Sequence, residues 1–502
     1  MQLHWGRKIG ALLGALALAA ATSACSLGKG DGGGTAFDSL DREDKGTLKV
    51  AYFNEEAFYL QYGNAFQAMF PNVELEVIPT DSAMSAEDPV AGMEQLLKDQ
   101  QPDAFLLTED QYAALAAKGL LYDLEAAVKQ DAFDLDAFHP SVIELLKARG
   151  GGKLFGLSPS FSSQALYYNK KLFDKHGIPY PKDGMSWEEL LQLAARFPVK
   201  KGSDNLTLGE AGREDALYGL SQSFSASDPF DLIRTIGEAK GLVYADSESR
   251  TVSIDTPEWR QIFDAVVSGY QSGSIIMPGS GGANGAVGSL MIRGSGGNTT
   301  FAFGSNTMRF MNGQAAMAID GPMAMNMLSL SVGTAGAGVS VQGASGGGNA
   351  LNVKPLGEGV DWDLVTVPTD PSQPGVSGGM SLGNVFSINA ASENLSAAWE
   401  FLKYANGEQL AKTSSKSSSA LSSRTAYKND ASGKNIDAFY ALAVNDQLLL
   451  QSLPKDFVDS FGKLASDYIV KAVEGTVSVE EALKSIQSQG QDLLTQALAD
   501  ET

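Results

Sequence analysis

The chain has 502 residues, a formal net charge of −22 at pH 7 and a single cysteine. Such an acidic surface repels nucleic acid and anionic lipid headgroups, so the charge excludes a nucleic-acid-binding function. One cysteine cannot form an internal disulfide, and stability must therefore come from a hydrophobic core. The length exceeds that of one typical domain and predicts at least two lobes.

The N-terminal segment has the pattern of an export signal. Two basic residues precede an apolar run at residues 9–21, which is too short to span a bilayer, and small residues follow it. Cys25 comes next and resembles the cysteine that carries the lipid in bacterial lipoproteins, although Thr22 stands where that signal usually has leucine. An ordinary secretory signal, cut after Ala24, is the alternative. We expect residues 1–24 to be a signal peptide and the mature protein to be lipid-anchored on the extracellular face of the bacterial cytoplasmic membrane.

Strand and helix patterns alternate after a glycine-rich stretch, which we expect to be a flexible tether at residues 25–46. Such alternation is typical of a parallel sheet covered by helices. Ligands bind beyond the carboxyl ends of the strands in these sheets, which here means segments 54–56 and 108–112. The predicted elements are, in order, a strand at 48–53, a helix at 58–70, strands at 73–78 and 103–107, and a helix that ends near Lys118.

The middle of the chain is mainly helical. Capping boxes at Ser186–Glu189 and Ser478–Glu481 predict two helix starts, and we expect Asn394 to cap a third helix. Two segments rich in Gly, Ser and Ala, residues 279–297 and 333–348, show no periodicity. They are predicted to be long surface loops.

Five sequence blocks carry a family resemblance in a fixed order. They lie at residues 165–190, with Tyr-Tyr-Asn-Lys and Ser-Trp-Glu-Glu-Leu, then at 313–322, 362–368, 399–402 and 475–483. Together they resemble family 1 extracellular solute-binding proteins, the sugar-binding subunits of ABC importers, among them maltose-binding protein.

The resemblance implies an α/β fold of the type II periplasmic-binding-protein class, in which crossing strands join two lobes and the ligand binds in the cleft between them. Mapped by motif, lobe one holds residues 47–157 and 380–430, and lobe two holds residues 165–374 and 431–502. The family implies a monomer that needs no cofactor or metal and hands its solute to an ABC transporter permease.

The resemblance also implies a carbohydrate ligand, an oligosaccharide by preference, but the binding positions match the family only in part. Gln111 stands where relatives have a base, and Leu107 and Met323 replace stacking tryptophans. A sugar ring is held by aromatic faces and by carboxylates or amides, and few aromatic residues stand at the matched positions here. The residues implied as ligand contacts are Asn54, Glu55, Glu56, Glu109, Asp110, Phe161, Gln222, Phe224, Asp320, Met323 and Gly378.

Other interpretations of these residues stay open. Asp110 fits a helix cap as well as a ligand contact, Phe161 and Phe224 fit a core, and adjacent Glu55 and Glu56 point in opposite directions if extended. A peptide or another polar solute is the alternative cargo, and a sensor that presents its ligand to a membrane receptor is the alternative role.

An enzyme is disfavoured. Ser345 and Ser381 match the G-x-S-x-G pattern of serine hydrolases, but that fold needs a later histidine and all three histidines precede both serines. A glycosidase built on two of the carboxylates remains the alternative from another class.

Overall fold

The computed structural model describes residues 37–199, 217–222, 228–278, 286–294, 297–304, 309–333, 339–342, 360–377, 379–415, 420–428, 433–445 and 453–500. Its strands are β1 (Gly46–Tyr52), β2 (Val73–Pro79), β3 (Ala104–Leu107), β4 (Gly156–Leu157), β5 (Ser160–Ser162), β6 (Ala165–Asn169), β7 (Tyr218–Ser221), β8 (Ala245–Asp246), β9 (Thr251–Val252), β10 (Ala286–Gly294), β11 (Gly297–Gly304), β12 (Ala315–Asp320), β13 (Val339–Gln342), β14 (Trp362–Thr366), β15 (Val376–Ser377), β16 (Ser381–Leu382), β17 (Val385–Ile388), β18 (Leu421–Ser422) and β19 (Ala443–Val444).

Helices fill most of the intervals between these strands. One π-helical turn, Tyr59–Gly63, joins the first two helices, and one 3₁₀ turn lies at Ile436–Phe439. The α-helices are α1 (Glu55–Phe58), α2 (Asn64–Met69), α3 (Asp81–Met84), α4 (Pro89–Gln100), α5 (Glu109–Ala117), α6 (Glu125–Gln130), α7 (Pro140–Arg149), α8 (Lys170–His176), α9 (Trp187–Ala195), α10 (Phe230–Ala239), α11 (Pro257–Ser272), α12 (Pro322–Gly333), α13 (Leu395–Ala405), α14 (Glu408–Ser414), α15 (Lys455–Val473) and α16 (Val479–Asp500).

The sheet of the first lobe has the strand order β2-β1-β3-β17-β4. β1 pairs in parallel with β2 and β3, whereas β17 is antiparallel to β3 and β4. Apolar side chains fill both of its faces, since Leu48, Val50, Phe105 and Phe386 are fully buried. The chain therefore returns to the first lobe through β17 after it has built the second one.

The sheet of the second lobe has the strand order β14-β6-β12-β7. Its two faces serve different cores because side chains alternate along a strand. Tyr167 of β6 packs against Trp362 and joins the core that runs into lobe one, whereas Leu166 and Tyr168 belong to a second core. Helices α9, α10, α11, α15 and α16 close that second core.

Two small sheets join the lobes at the hinge. β5 lies in the first crossover, the passage from β4 to β6, and β16 lies in the second crossover, the passage from β14 to β17. β5 pairs with both β16 and β18, and β15 pairs with β19. Three separate passages of the chain are thus hydrogen-bonded to one another between the lobes. We call the sheet β16-β5-β18 the hinge sheet.

Local sequence signals predicted several helix and strand starts well. The capping boxes at Ser186 and Ser478 both form, with each serine and the glutamate three residues later bonded reciprocally. The prediction for Asn394 is wrong in its mechanism: α13 begins after it, but its side chain makes no cap and donates to Asp103 instead. The buried carboxylate of Asp103 holds Asn394 through its Nδ2, and in this orientation Oδ1 accepts no backbone N–H of the first helical turn.

The two glycine-rich segments were predicted to be loops, and this is wrong for part of each. β10, β11 and β13 form a three-stranded antiparallel sheet in which Gly294 pairs with Gly297 at a tight hairpin. β-branched and aromatic residues among the glycines, such as Ile292, Phe301 and Val339, favour strand pairing here. The rest of 279–297 and 333–348 lies outside the described residues, apart from residue 333 at the end of α12.

The described chain begins at Phe37, ahead of the predicted start of the fold near Thr47. Gln130 donates a hydrogen bond to the carbonyl of Phe37, and Ser396 donates one to the carbonyl of Asp38. Residues 37–45 therefore lie against the first lobe, and the tether remains a prediction for residues 25–36.

Tyr112→Phe is expected to lower the free energy of unfolding by about 1–3 kcal/mol. The fully buried hydroxyl donates to the carbonyl of Leu146 (2.9 Å) and accepts from the backbone N–H of Phe155 (3.1 Å). Phenylalanine keeps the ring and leaves both backbone groups without this partner. Urea unfolding followed by circular dichroism measures the loss, and an unchanged midpoint would contradict the assignment.

Candidate functional site

The carboxyl ends of β1 and β3 present polar residues, as the topology predicted. Asn54 caps α1, with its Oδ1 accepting from the backbone N–H of Ala57 at 2.8 Å. Glu55 and Glu56 follow in the first turn of that helix, and both are exposed. Because they lie on a helix, the expectation that they point in opposite directions along an extended segment is wrong.

Helix α5 begins after β3 with its own capping box. Thr108 is the N-cap residue, and its hydroxyl and backbone N–H bond reciprocally with Gln111. Asp110 is therefore not the cap. It lies in the first turn, exposed, where a free carboxylate faces the space between the lobes.

A cavity of about 900 Å³ lies between the lobes. Lobe one contributes Asp110, Leu145 and Arg149, and the second crossover contributes Met380. On the opposite side, lobe two contributes the segment that leads into α10, one face of α10 and one face of α15. A solute in this cavity touches both lobes and the hinge at once.

Carboxylates dominate the cavity wall. Six acids line it against three basic residues, and each basic residue is ion-paired: Arg234 with Asp231 and Glu238, Arg149 with Glu109, and Lys463 with Asp467. The acids are Asp110, Asp228, Asp231, Glu238, Asp459 and Asp467. The wall offers many hydrogen-bond acceptors and disfavours an anionic solute.

Asp228 is a half-buried carboxylate on this wall. Its Oδ1 accepts the backbone N–H of Phe230 at 2.8 Å. Burial, and after it the charge of Asp231, raises the pKa of Asp228 above its usual range. A hydroxyl or amino donor of a bound solute stabilises the ionised form of such a group, so this position is suited to ligand contact.

Among the predicted site residues that the structure describes, Asp110 alone lies in the lining of the cavity. Glu109 bonds to Arg149 and to the backbone of Leu382. Gln222 is buried, and its amide donates to the hydroxyl of Tyr270 and the carbonyl of Ile276. Its amide hydrogen bonds are thus used inside lobe two, and its role as a ligand contact stays a prediction.

Three other predicted residues also lie elsewhere. Phe161 is fully buried in the hinge sheet, so its side chain packs and does not face a solute. Asp320 is nearly buried at the end of β12 and accepts the N–H of Gly321, and Met323 packs against the larger core. Phe224, Gly378 and Cys25 lie outside the described residues.

Sequence reasoning missed the contribution of α15. Its core face consists of Phe457, Phe461, Ala465, Ile469 and Ala472, at helical spacing. The adjoining face enters the cavity, with Val458, Asp459, Gly462, Lys463, Ser466 and Asp467. The amphipathic pattern reveals the core face, but no local signal shows that the polar side meets a cleft instead of bulk solvent.

The hinge sheet packs against a buried histidine. His139 lies at the start of α7, with its ring 5.2 Å from that of Phe161 and its Nε2–H directed at the carbonyl of Tyr440 (3.1 Å). Its Nδ1 has no hydrogen-bond partner among the described residues. Burial lowers the pKa of His139, and Lys428 lowers it further, while the Tyr440 carbonyl and Glu144 oppose them.

Acidification is expected to destabilise the protein through His139. The pKa of His139 in the folded state lies below the usual 6.5, so its neutral ring makes its full contribution to the free energy of unfolding above pH 6.5. That contribution is lost as the pH falls below 6.5 and through the lowered pKa. Melting temperatures between pH 7.5 and 5 measure this loss, and His139→Gln is the control that removes the titration. Parallel pH curves for the two proteins would contradict the assignment.

Within the described ranges, no helix is long and apolar enough to cross a membrane. In the same part of the chain, no group of three or more His, Cys, Asp or Glu side chains is placed to hold a metal ion.

Comparison with known proteins agrees with this architecture. A sugar transporter from Rhizobium etli, solved in an open conformation, superposes with a TM-score of 0.61 at 17% identity, covering 89% of this chain and 99% of its own. The GacH receptor of Streptomyces glaucescens, solved unliganded and in complex with acarbose, superposes with a TM-score of 0.55 at 19% identity, covering 90% and 99%. These likenesses establish the two-lobe fold.

Sequence comparison gives the family. A binding protein of Brucella abortus is 28% identical over 163 residues, which is 31% of this chain and only 36% of that relative. Residues 61–440 match the sequence profile of the bacterial extracellular solute-binding proteins, which are binding proteins and not enzymes. The chain belongs to the bacterial extracellular solute-binding protein family, as its motifs indicated.

Proposed function

We propose that this protein captures a carbohydrate, preferably an oligosaccharide, and delivers it to an ABC transporter permease. The cavity between the lobes carries the proposal, since its volume of about 900 Å³ exceeds the needs of one sugar ring and its wall is rich in hydrogen-bond acceptors. The structural relatives add support, because one is a sugar transporter and another was solved with acarbose.

Binding is coupled to closure of the lobes. Asp110 belongs to lobe one, and Asp228 and the face of α15 belong to lobe two, so a solute makes its full set of contacts only when the lobes approach. A ligand that contacts the closed form better shifts the population toward it. Lys455, at the start of α15, is ion-paired with Asp459, and this pair raises its pKa, with a smaller contribution from the charge of Asp110 on lobe one.

The proposed organisation follows the crossovers. Lobe one comprises residues 47–157 and 380–430, and lobe two comprises residues 165–374 and 431–502, so Met380 and β16 lie where the second crossover enters lobe one. A signal peptide at residues 1–24 and a lipid on Cys25 would hold the monomeric protein at the outer face of the membrane, near its permease.

A peptide or another polar solute is the second candidate. The aromatic residues of the wall, Phe230 and Tyr244, are only 3% and 8% exposed. Both pack against Phe461, Phe230 edge-on and Tyr244 stacked, which leaves little aromatic surface for a sugar ring. Recognition by acceptors alone suits any solute with several donors.

A thermal-shift screen of the full chain against mono- and oligosaccharides, polyols and short peptides tests the proposal. We expect one sugar class to raise the melting temperature, and above the Kd the shift should grow with the logarithm of the sugar concentration. Asp110→Ala should reduce that shift, whereas Asp81→Ala, an exposed acid in the first turn of another helix of lobe one, should not. Stabilisation by a peptide alone would overturn the carbohydrate assignment and keep the family.

A further inference from the structure

Glu109 uses its two carboxylate oxygens for two different parts of the molecule. Oε1 accepts from Nε of Arg149 at 2.7 Å, and Oε2 accepts from the backbone N–H of Leu382 at 2.9 Å. The side chains of Glu109 and Arg149 are 18% and 29% exposed, so the pair is partly shielded from water. Charge-assisted hydrogen bonds of this kind are about twice as strong as neutral ones.

The first partner, Arg149, lines the cavity at the end of α7. Among the described residues, Glu109 is the only hydrogen-bond partner of the Arg149 side chain, and this bond uses Nε. The two terminal nitrogens of the guanidinium therefore remain available to acceptors on a solute. Their planar fork suits a pair of neighbouring hydroxyls or a carbonyl oxygen.

The second partner, Leu382, belongs to the hinge sheet. It lies in β16 and pairs with Phe161 of β5, so the second crossover is tied to the first at this residue. Met380, two residues earlier, lines the cavity. One carboxylate thus joins the cavity wall to the hinge strand.

We infer that Glu109 is a positioning residue that couples the solute-contacting Arg149 to the hinge at Leu382. A solute that engages Arg149 changes the position of the carboxylate, and the carboxylate in turn holds the strand that must bend when the lobes close. This inference rests on the proposed function, but the link between Glu109 and the hinge can be measured without any solute.

Glu109→Gln separates coupling from simple packing. Glutamine has nearly the same shape but a single acceptor oxygen, whereas both partners are donors, so one of the two hydrogen bonds must be lost. Arg149→Lys disturbs the hydrogen bond between Arg149 and Glu109 by changing the other partner, because a lysine cannot reproduce the Nε geometry. Asp123→Asn removes an exposed ion pair with Lys153 in the same lobe and serves as the control.

Pulsed electron–electron spin resonance measures the distance between the lobes. Cys25→Ser removes the only cysteine, and Gln100→Cys in α4 with Glu258→Cys in α11 places one spin label on each lobe at exposed positions. The hydrogen bond between Glu109 and Leu382 is present in the described conformation. We therefore expect Glu109→Gln to lower the population of this interlobe conformation relative to the others by roughly ten-fold in the unliganded protein, the effect of losing one charge-assisted hydrogen bond. Asp123→Asn should reproduce the parent distribution.

The double variant decides the role of Arg149. If Glu109 acts through both partners, Arg149→Lys shifts the distribution in the same direction, and the combination adds little to Glu109→Gln alone. Distance distributions identical to the parent in both single variants would overturn the inference, even where the melting temperature falls. Because no solute is present, that failure is distinct from a failure of the sugar screen.

Discussion

Asp103→Ala is expected to lower the free energy of unfolding by about 3–5 kcal/mol. The carboxylate is only 4% exposed and accepts three kinds of donor: the backbone N–H of Lys49 (2.9 Å), the hydroxyl of Ser392 (2.6 Å) and the amide of Asn394 (3.2 Å). Alanine removes the acceptor and leaves these donors without it. The result is the loss of a network, which is one of the few causes of very large single-site effects.

The location of Asp103 explains why the whole first lobe should respond. The residue precedes β3, bonds to β1, and holds the turn that leads from β17 into α13. Those segments are far apart in sequence, and this carboxylate adds side-chain hydrogen bonds to the backbone pairing that already joins β1, β3 and β17. Urea unfolding monitored by tryptophan fluorescence measures the effect.

Asp99→Ala is the matched control for this prediction. Asp99 lies four residues upstream, is exposed, and bonds only to the neighbouring side chain of Gln95 among the described residues. An exposed interaction of this type contributes little, so a change below about 0.5 kcal/mol is expected. Equal effects of the two substitutions would show that the Asp103 network is unimportant.

The sheet of lobe one was predictable from sequence because its signals are local. Alternating apolar residues gave β1 and β2 to within two residues at each end, and the polar segments after β1 and β3 followed from the parallel order. The position of β17 in the same sheet depends on pairing with residues about 280 positions earlier, and only the family resemblance indicated the return.

The site was harder to predict for the same reason. Glu109 was expected to contact the ligand, but its partners lie 40 and 273 residues away, and no local pattern shows that they occupy its carboxylate. Gln222 has the right residue type at the right motif position, yet its amide is used by Tyr270. Residue types at motif positions indicate possible chemistry, and the long-range packing decides which groups remain free.

Gly462→Leu is expected to weaken solute binding by at least about 100-fold, or 2.7 kcal/mol, while leaving the fold at least as stable. Gly462 lies in the middle of α15 and lines the cavity. A Cβ atom built there meets only the Oδ2 of Asp228, at 3.5 Å, which is an ordinary contact. A leucine side chain can therefore extend into the cavity and occupy the space of the solute.

Stability and binding should move in opposite directions in this variant, because glycine is a poor helix former. Replacing a glycine inside a helix raises the free energy of unfolding by up to about 1 kcal/mol. Gly462→Ala is the graded control: it gains the same helix propensity but adds only one methyl group, so most of the binding should survive. Calorimetric titration with the sugar that stabilises the parent, together with melting curves of the unliganded variants, measures both quantities. If Gly462→Leu bound that sugar as well as the parent does, the cavity between Asp110 and α15 could not be the solute site. If Gly462→Leu lost binding because it unfolded, its unliganded melting temperature would fall, whereas replacement of this cavity-facing glycine is expected to raise it.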